Sequence, residues 1–232
     1  MRKALPCVGV FFALAVGLTF LASQLPELAF EHFDARLVLC GCGPLLSGLF
    51  CYRFFKTDNA IKVSVLGTKP VWSVVVCIVA LVTFRCTQGH RELQLVLTWF
   101  AVQFAYCFGE EFGWRHYLQN ATNFLNDWTQ SLLIGSLWFA WHYAFLEDVS
   151  ASMFGGGIPG WAFVPVMIVL LSLQSYVFGL MVKRSRSLLF PVVGHMLFKT
   201  GLVTMLVTGS VACLLLIFWR KLPAGRGRVD GS

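Results

Sequence analysis

Residues 93–118 read LQLVLTWFAVQFAYCFGEEFGWRHYL, sixteen residues without a charge followed at once by Gly109-Glu110-Glu111-Phe112-Gly113-Trp114-Arg115. Crossing hydrocarbon takes about 20 apolar residues of helix, and the uncharged run comes close to that. The pattern repeats along the chain, with further apolar runs over residues 4–22, 37–55, 71–84, 128–146, 158–182 and 188–219. Of the 232 residues, 57% are hydrophobic and 12% charged, and the mean hydropathy is +0.73. A soluble domain carries about 25% charged residues, so this chain has too few to cover a water-facing surface. Its solvent is lipid. The fold class expected is all-α, a multi-pass transmembrane helical bundle forming one domain over residues 1–232.

The net charge of +7 falls in short clusters between the apolar runs rather than along one basic stripe. That is the distribution of membrane loops, so membrane lipid is an expected partner and nucleic acid is not. Basic residues mark cytoplasmic loops. Glu27, Glu31 and Asp34 against Arg36 place the first loop outside, and Arg53, Lys56, Lys62 and Lys69 place the next one inside. Glu147 and Asp148 lie outside by the same rule, while Lys183, Arg184 and Arg186 lie inside. Arg220, Lys221, Arg226 and Arg228 put the tail inside too. An even number of spans follows. Residues 188–219, too long for one span, are expected to fold as a hairpin near residues 208–210 and bring the count to eight. One long tilted helix there would make it seven. The first run follows Arg2 and Lys3 and is longer than a signal-peptide core, so it is expected to remain as an anchor. The localisation implied is integral membrane, the cell membrane if the source is prokaryotic.

Seven of the eight cysteines lie inside apolar runs and read as small hydrophobes. Cys40 and Cys42 lack a second pair and make no zinc ribbon. Gly155-Gly156-Gly157 reads as an outer loop, and the sequon Asn120-Ala121-Thr122 falls on the inside, where it is not an acceptor. No paired repeat of the kind transporters show is visible.

Ionisable residues inside spanning segments cost a few kcal/mol each by insertion scales, so each asks for a reason. Glu111 and Arg115 are four apart with the acid first, the favourable order for an ion pair on a helix. Glu110 points about 100° away, from helix geometry. His142, in Leu137-Trp138-Phe139-Ala140-Trp141-His142, and His195, in Gly194-His195-Met196, both interrupt apolar runs. Taken singly, the carboxylates could mark a helix end at the interface and each histidine could be a hydrogen-bonded packing residue. Taken together they suit one task. A carboxylate in a low-dielectric site can act as general base toward water. Imidazoles can orient that water, stabilise an oxyanion or bind a divalent metal such as zinc. Glu110, His142 and His195 are the candidate metal ligands, and the metal-bound and metal-free versions stay open on these residues. With straight helices Glu110 and His142 would differ in depth by about 15 Å at 1.5 Å per residue. Strong tilting or an inward dip of loop 119–127 is then required.

These residues resemble the motifs of the CPBP intramembrane proteases, the family of CAAX prenyl proteases and bacteriocin-processing (ABI) proteins. Glu110-Glu111-x-x-x-Arg115 looks like its first motif. Trp138-x-x-x-His142 is similar to Phe-x-x-x-His, with tryptophan in the phenylalanine position. His195-x-x-x-Lys199 is similar to His-x-x-x-Asn, with lysine in the asparagine position. The likeness covers roughly residues 93–200, the expected catalytic core. It implies a glutamate-dependent endopeptidase, a hydrolase of membrane-associated peptide or protein substrates, either prenylated CAAX-type or bacteriocin-related. By position, Glu110 would activate water with Glu111 in support. His142 and His195 would complete the site, and Arg115 would hold the motif helix. Trp138 keeps an aromatic plug of larger volume. Lys199 departs most, offering a charge and three donors in place of a neutral donor and acceptor. It either reaches the cavity, where it would stabilise an oxyanion or neutralise Glu110 and would oppose a metal, or snorkels to the interface. A non-catalytic relative, acting as an immunity or scaffold protein, is the alternative that Lys199 favours.

Overall fold

The computed structural model describes residues 4–27, 29–30, 33–34, 36–55, 60–89, 91–147, 149 and 159–224. The glycine run 155–157, Glu31, Lys56, Asp148 and the basic tail beyond 224 lie outside these residues. The chain is an all-α membrane bundle. Its helices are α1 (Ala4–Ser23), α2 (Arg36–Phe55), α3 (Pro70–Thr87), α4 (Leu93–Glu111), α5 (Asp127–His142), α6 (Gly160–Ser185), α7 (Leu189–Leu197) and α8 (Leu202–Ile217). A two-residue ladder pairs Ala29–Phe30 with Phe33–Asp34 between α1 and α2. No disulfide forms among the described cysteines.

Four helices, α1, α2, α3 and α6, are long and apolar enough to cross a membrane. Each keeps large apolar side chains on its outer surface, such as Phe20, Leu46, Ile78 and Leu173. A water-soluble protein rarely exposes apolar surface on this scale. The expectation of eight spans is not reproduced by length and composition. α4 carries its carboxylates within its own last turn, α5 has 16 residues and α7 only nine. The hairpin expected near residues 208–210 is absent, because α8 runs through them without interruption. The break falls instead at Phe198–Gly201, where extended backbone at Gly201 (φ −69°, ψ 160°) starts α8. Thr208 is a packing residue rather than a turn. Its hydroxyl meets Thr83 Oγ1 of α3 at 2.9 Å, and Thr204 meets Thr87 at 3.0 Å one turn away. Such pairs join helices where apolar association has no hydrophobic driving force.

Close backbone contact seats the central helix. A Cβ on Gly109 of α4 would lie 2.8 Å from the carbonyl carbon of Gly41 in α2, and one on Gly113 would lie 2.5 Å from Pro44 Cβ. Only glycine allows α2 to lie this close to the stretch that bears the carboxylates. α4 then continues past Glu111 as a π-helical segment, Phe112–Leu118, and a final α-turn, Gln119–Ala121. Residues 119–121 are therefore helix and not part of a dipping loop. This removes the depth conflict. Glu110 lies eleven residues before Ala121 and Trp138 eleven after Asp127, each about 16 Å from the intervening turn at 1.5 Å per residue. Glu110 and the Trp138–His142 turn meet at one level without strong tilting.

Replacing Gly109 by Ala forces a Cβ into the α2 backbone and is expected to destabilise the bundle by about 1–3 kcal/mol. Gly17→Ala, which meets open space, should leave stability unchanged. Thermal unfolding of both variants in the same detergent measures the difference, and equal midpoints would remove the helix contact from the fold's foundations.

Candidate active site

Two adjacent carboxylates leave α4 on different faces and acquire different partners. Glu111 is fully buried and accepts from both sides. Arg115 Nε donates to its Oε2 at 3.0 Å, and His195 Nδ1 lies 3.0 Å from its Oε1. The Arg115 guanidinium is itself buried, donating to Ser175 Oγ of α6 at 3.2 Å. It lies between the rings of Trp138 and Phe178, with Cζ 5.1 and 5.5 Å from their centroids. One ionic cluster thereby ties the motif helix to α5, α6 and α7. A buried arginine of this kind is tolerable because its charge is paired and its planar face is stacked.

Glu110 is fully buried too. Its Oε2 accepts a 2.6 Å hydrogen bond from Trp138 Nε1, while Oε1 accepts none of regular geometry. The hydroxyl-bearing Tyr106, one turn earlier on α4, is its electrostatic neighbour. Tryptophan in the second motif thus does more than fill volume. Its indole N–H holds one oxygen of the carboxylate, which a phenylalanine could not do.

Hydrogen bonding fixes the histidine tautomers. His142 Nδ1 is 2.7 Å from the Trp138 carbonyl oxygen, which can only accept, so Nδ1 carries the proton and Nε2 is left with a lone pair when the ring is neutral. His195 likewise bears its proton on Nδ1, toward Glu111. Both rings line a cavity of about 750 Å³ together with Tyr106, Trp138 and Lys199, and apolar side chains of α6 such as Met167, Leu171 and Phe178 form much of the rest. Glu110 stands behind the Trp138–Tyr106 wall of that cavity.

Lys199 follows the end of α7 and lines the cavity rather than leaving it. Its ammonium lies 3.8 Å from the centre of the Tyr106 ring, a cation–π contact. No ion pair joins it to Glu110 among the described residues. Nor, among them, does any group of three His, Cys, Asp or Glu side chains converge closely enough to hold a metal ion. Glu110, His142 and His195 share a neighbourhood in this arrangement, but they do not form a ligand set.

Sequence reasoning missed Tyr106, Ser175 and the role of the Trp138 indole. Tyr106 precedes Glu110 by four residues and shares its helix face, so spacing alone could have found it. Ser175 carried no such signal.

This helical membrane bundle brings a buried carboxylate pair and two histidines to one level, side chains capable of hydrolytic chemistry. Residues 92–201 match the family described as Rce1-like, type II CAAX prenyl endopeptidase Rce1-like, and that segment, which carries the site, is similar to it. No curated protein matches the chain.

Arg115→Ala leaves the Glu111 carboxylate buried with one partner lost, at a cost on the order of 3–5 kcal/mol. The yield of monodisperse protein after extraction should fall sharply, while Ser175→Ala, which removes only one neutral partner, should fold nearly normally. Undiminished yield for Arg115→Ala would show that the ion pair carries little of the fold.

Proposed function

We propose that the chain is a glutamate-dependent intramembrane endopeptidase that cleaves prenylated, membrane-associated CAAX-type peptides. The observation that carries this reading is the state of Glu110. It is a fully buried carboxylate with one oxygen held by Trp138 and the other free of regular hydrogen bonds, beside a cavity lined by two histidines. In the proposed reaction a water reaches Oε1 between Trp138 and Tyr106. Glu110 takes its proton as the water oxygen bonds to the scissile carbonyl carbon. His142 Nε2, with its lone pair, accepts a hydrogen bond from the water's second O–H and orients it. His195, as an imidazolium backed by the Glu111 carboxylate, donates from Nε2 to the carbonyl oxygen as negative charge develops there. Glu110 then returns the proton to the leaving nitrogen as the C–N bond breaks. Every step uses this chain's own side chains, and none is routed through a metal. The apolar wall from α6 supports a substrate carrying a long hydrocarbon group, in keeping with the prenyl substrates in the family's description.

A second reading, a non-catalytic relative that binds a peptide in the same cavity, is favoured by Lys199, whose ammonium stands on the Tyr106 ring at the cavity wall.

Glu110→Gln keeps the shape and removes the base. Cleavage of a prenylated peptide by purified protein is expected to fall about 10²–10⁴-fold with folded yield retained, and near-normal cleavage would take Glu110 out of the reaction. Lys199→Asn withdraws a charge from a largely apolar mouth and should raise kcat/KM several-fold. An unchanged rate would make Lys199 a bystander, and absence of cleavage in both proteins would support the binding protein instead.

A further inference from the structure

A second groove, of about 1000 Å³, lies between α6, α8 and the segment leading into α3, and it shares only Val177 with the catalytic cavity. Its lining changes character along both helices in the same direction. On α6, Val177 and Leu180 give way to Lys183 and Arg184; Cys213 and Ile217 of α8 give way to Arg220 just past its end. Lys69 and Arg186 complete the basic part, and no carboxylate lines the groove. The apolar part is open to the surroundings, with Val177, Leu180 and Ile217 all exposed.

The five cations are only partly compensated. Lys183 pairs with Asp127. Lys69 donates to the carbonyls of Trp219 and Leu222, Arg184 to those of Leu216 and Ile217, and Arg186 to that of Ile61. These acceptors are neutral. The C-terminal dipole of α8 contributes about half a negative charge. Five cations less Asp127 and that half charge leave about three and a half positive charges in one groove. Arg220 makes no ion pair among the described residues.

A groove basic at one end and apolar at the other fits an amphiphile with an anionic head. By the distribution of basic residues, the charged end faces the cytoplasmic leaflet, where anionic lipids are found. We propose that the groove binds an anionic phospholipid, its phosphate against Arg184 and Arg220 and an acyl chain along Leu180, Cys213 and Ile217. This site is separate from the proteolytic one and does not depend on how that one works.

Cys213 reports on the groove directly, since it is exposed and lines it, and Cys86, exposed outside the groove, serves as an internal reference. The full chain is placed in nanodiscs of phosphatidylcholine, with or without phosphatidylglycerol, and both thiols are labelled with a lipid-soluble maleimide. Phosphatidylglycerol should slow labelling of Cys213 relative to Cys86 by about tenfold, and Arg220→Gln should require about fivefold more of that lipid for equal protection. Arg220 supports no helix end, so this variant tests the site without disturbing the fold. An identical Cys213-to-Cys86 ratio in both lipids would overturn the proposal. So would protection unaltered in Arg220→Gln, or equal protection by inorganic phosphate in phosphatidylcholine discs, which would mean a free anion rather than a lipid.

Discussion

One carboxylate, that of Glu111, holds the half of the molecule around the candidate site together. It has no water to turn to, and each oxygen must be satisfied by protein. Arg115 supplies one bond from the same helix and His195 supplies the other from a helix 84 residues away. Because Arg115 also reaches Ser175 and stacks against Trp138 and Phe178, α5, α6 and α7 are all placed by reference to this one group. The partner carboxylate, Glu110, is left outside the ionic cluster. Two adjacent residues with the same chemistry thus acquire different surroundings, one tied into the ionic cluster and the other, the base of the proposed reaction, left outside it, because successive helical positions face about 100° apart.

Around that cluster, the bundle uses devices suited to lipid. Backbones approach where Gly41 meets Gly109, and hydroxyl pairs join α3 to α8. Helix ends find cationic donors, as where Arg184 binds the last carbonyls of α8 and Lys69 those of Trp219 and Leu222 just beyond it. The π-helical segment after Glu111 adds a residue to the turn exactly where the motif passes Pro44 of α2, and such widened turns are frequent at functional sites. The fold and the site therefore share residues. Gly109 and Gly113, which let α4 approach α2, belong to the stretch that presents the two carboxylates.

Much of this was legible in the sequence. Charge density and run length required a helical membrane protein, and the spacing of Glu111 and Arg115 implied their pairing. Three short motifs, each interrupting an apolar run, pointed to Glu110, His142 and His195. What could not be read locally was depth. Treating residues 119–127 as a loop misplaced Glu110 by about three helical turns, because a polar stretch with an asparagine and a threonine looks like an interface. Its first three residues instead continue the helix, with Asn120 bonded to Ile61 N and Gln130 bonded to Gln119 O, and only 122–126 turn.

Composition and spacing by themselves determined the solvent, the helical class and the side chains capable of chemistry, since these depend on transfer energies and on the 3.6-residue repeat of the helix. The tertiary structure alone decided which oxygen of which carboxylate is spent. The Trp138 indole on Glu110, the His195 imidazole on Glu111 and the Lys199 ammonium on Tyr106 each join residues from helices far apart in sequence. Directional contacts of that kind depend on helix register and on the level at which helices meet. No local pattern of apolar and polar residues encodes either.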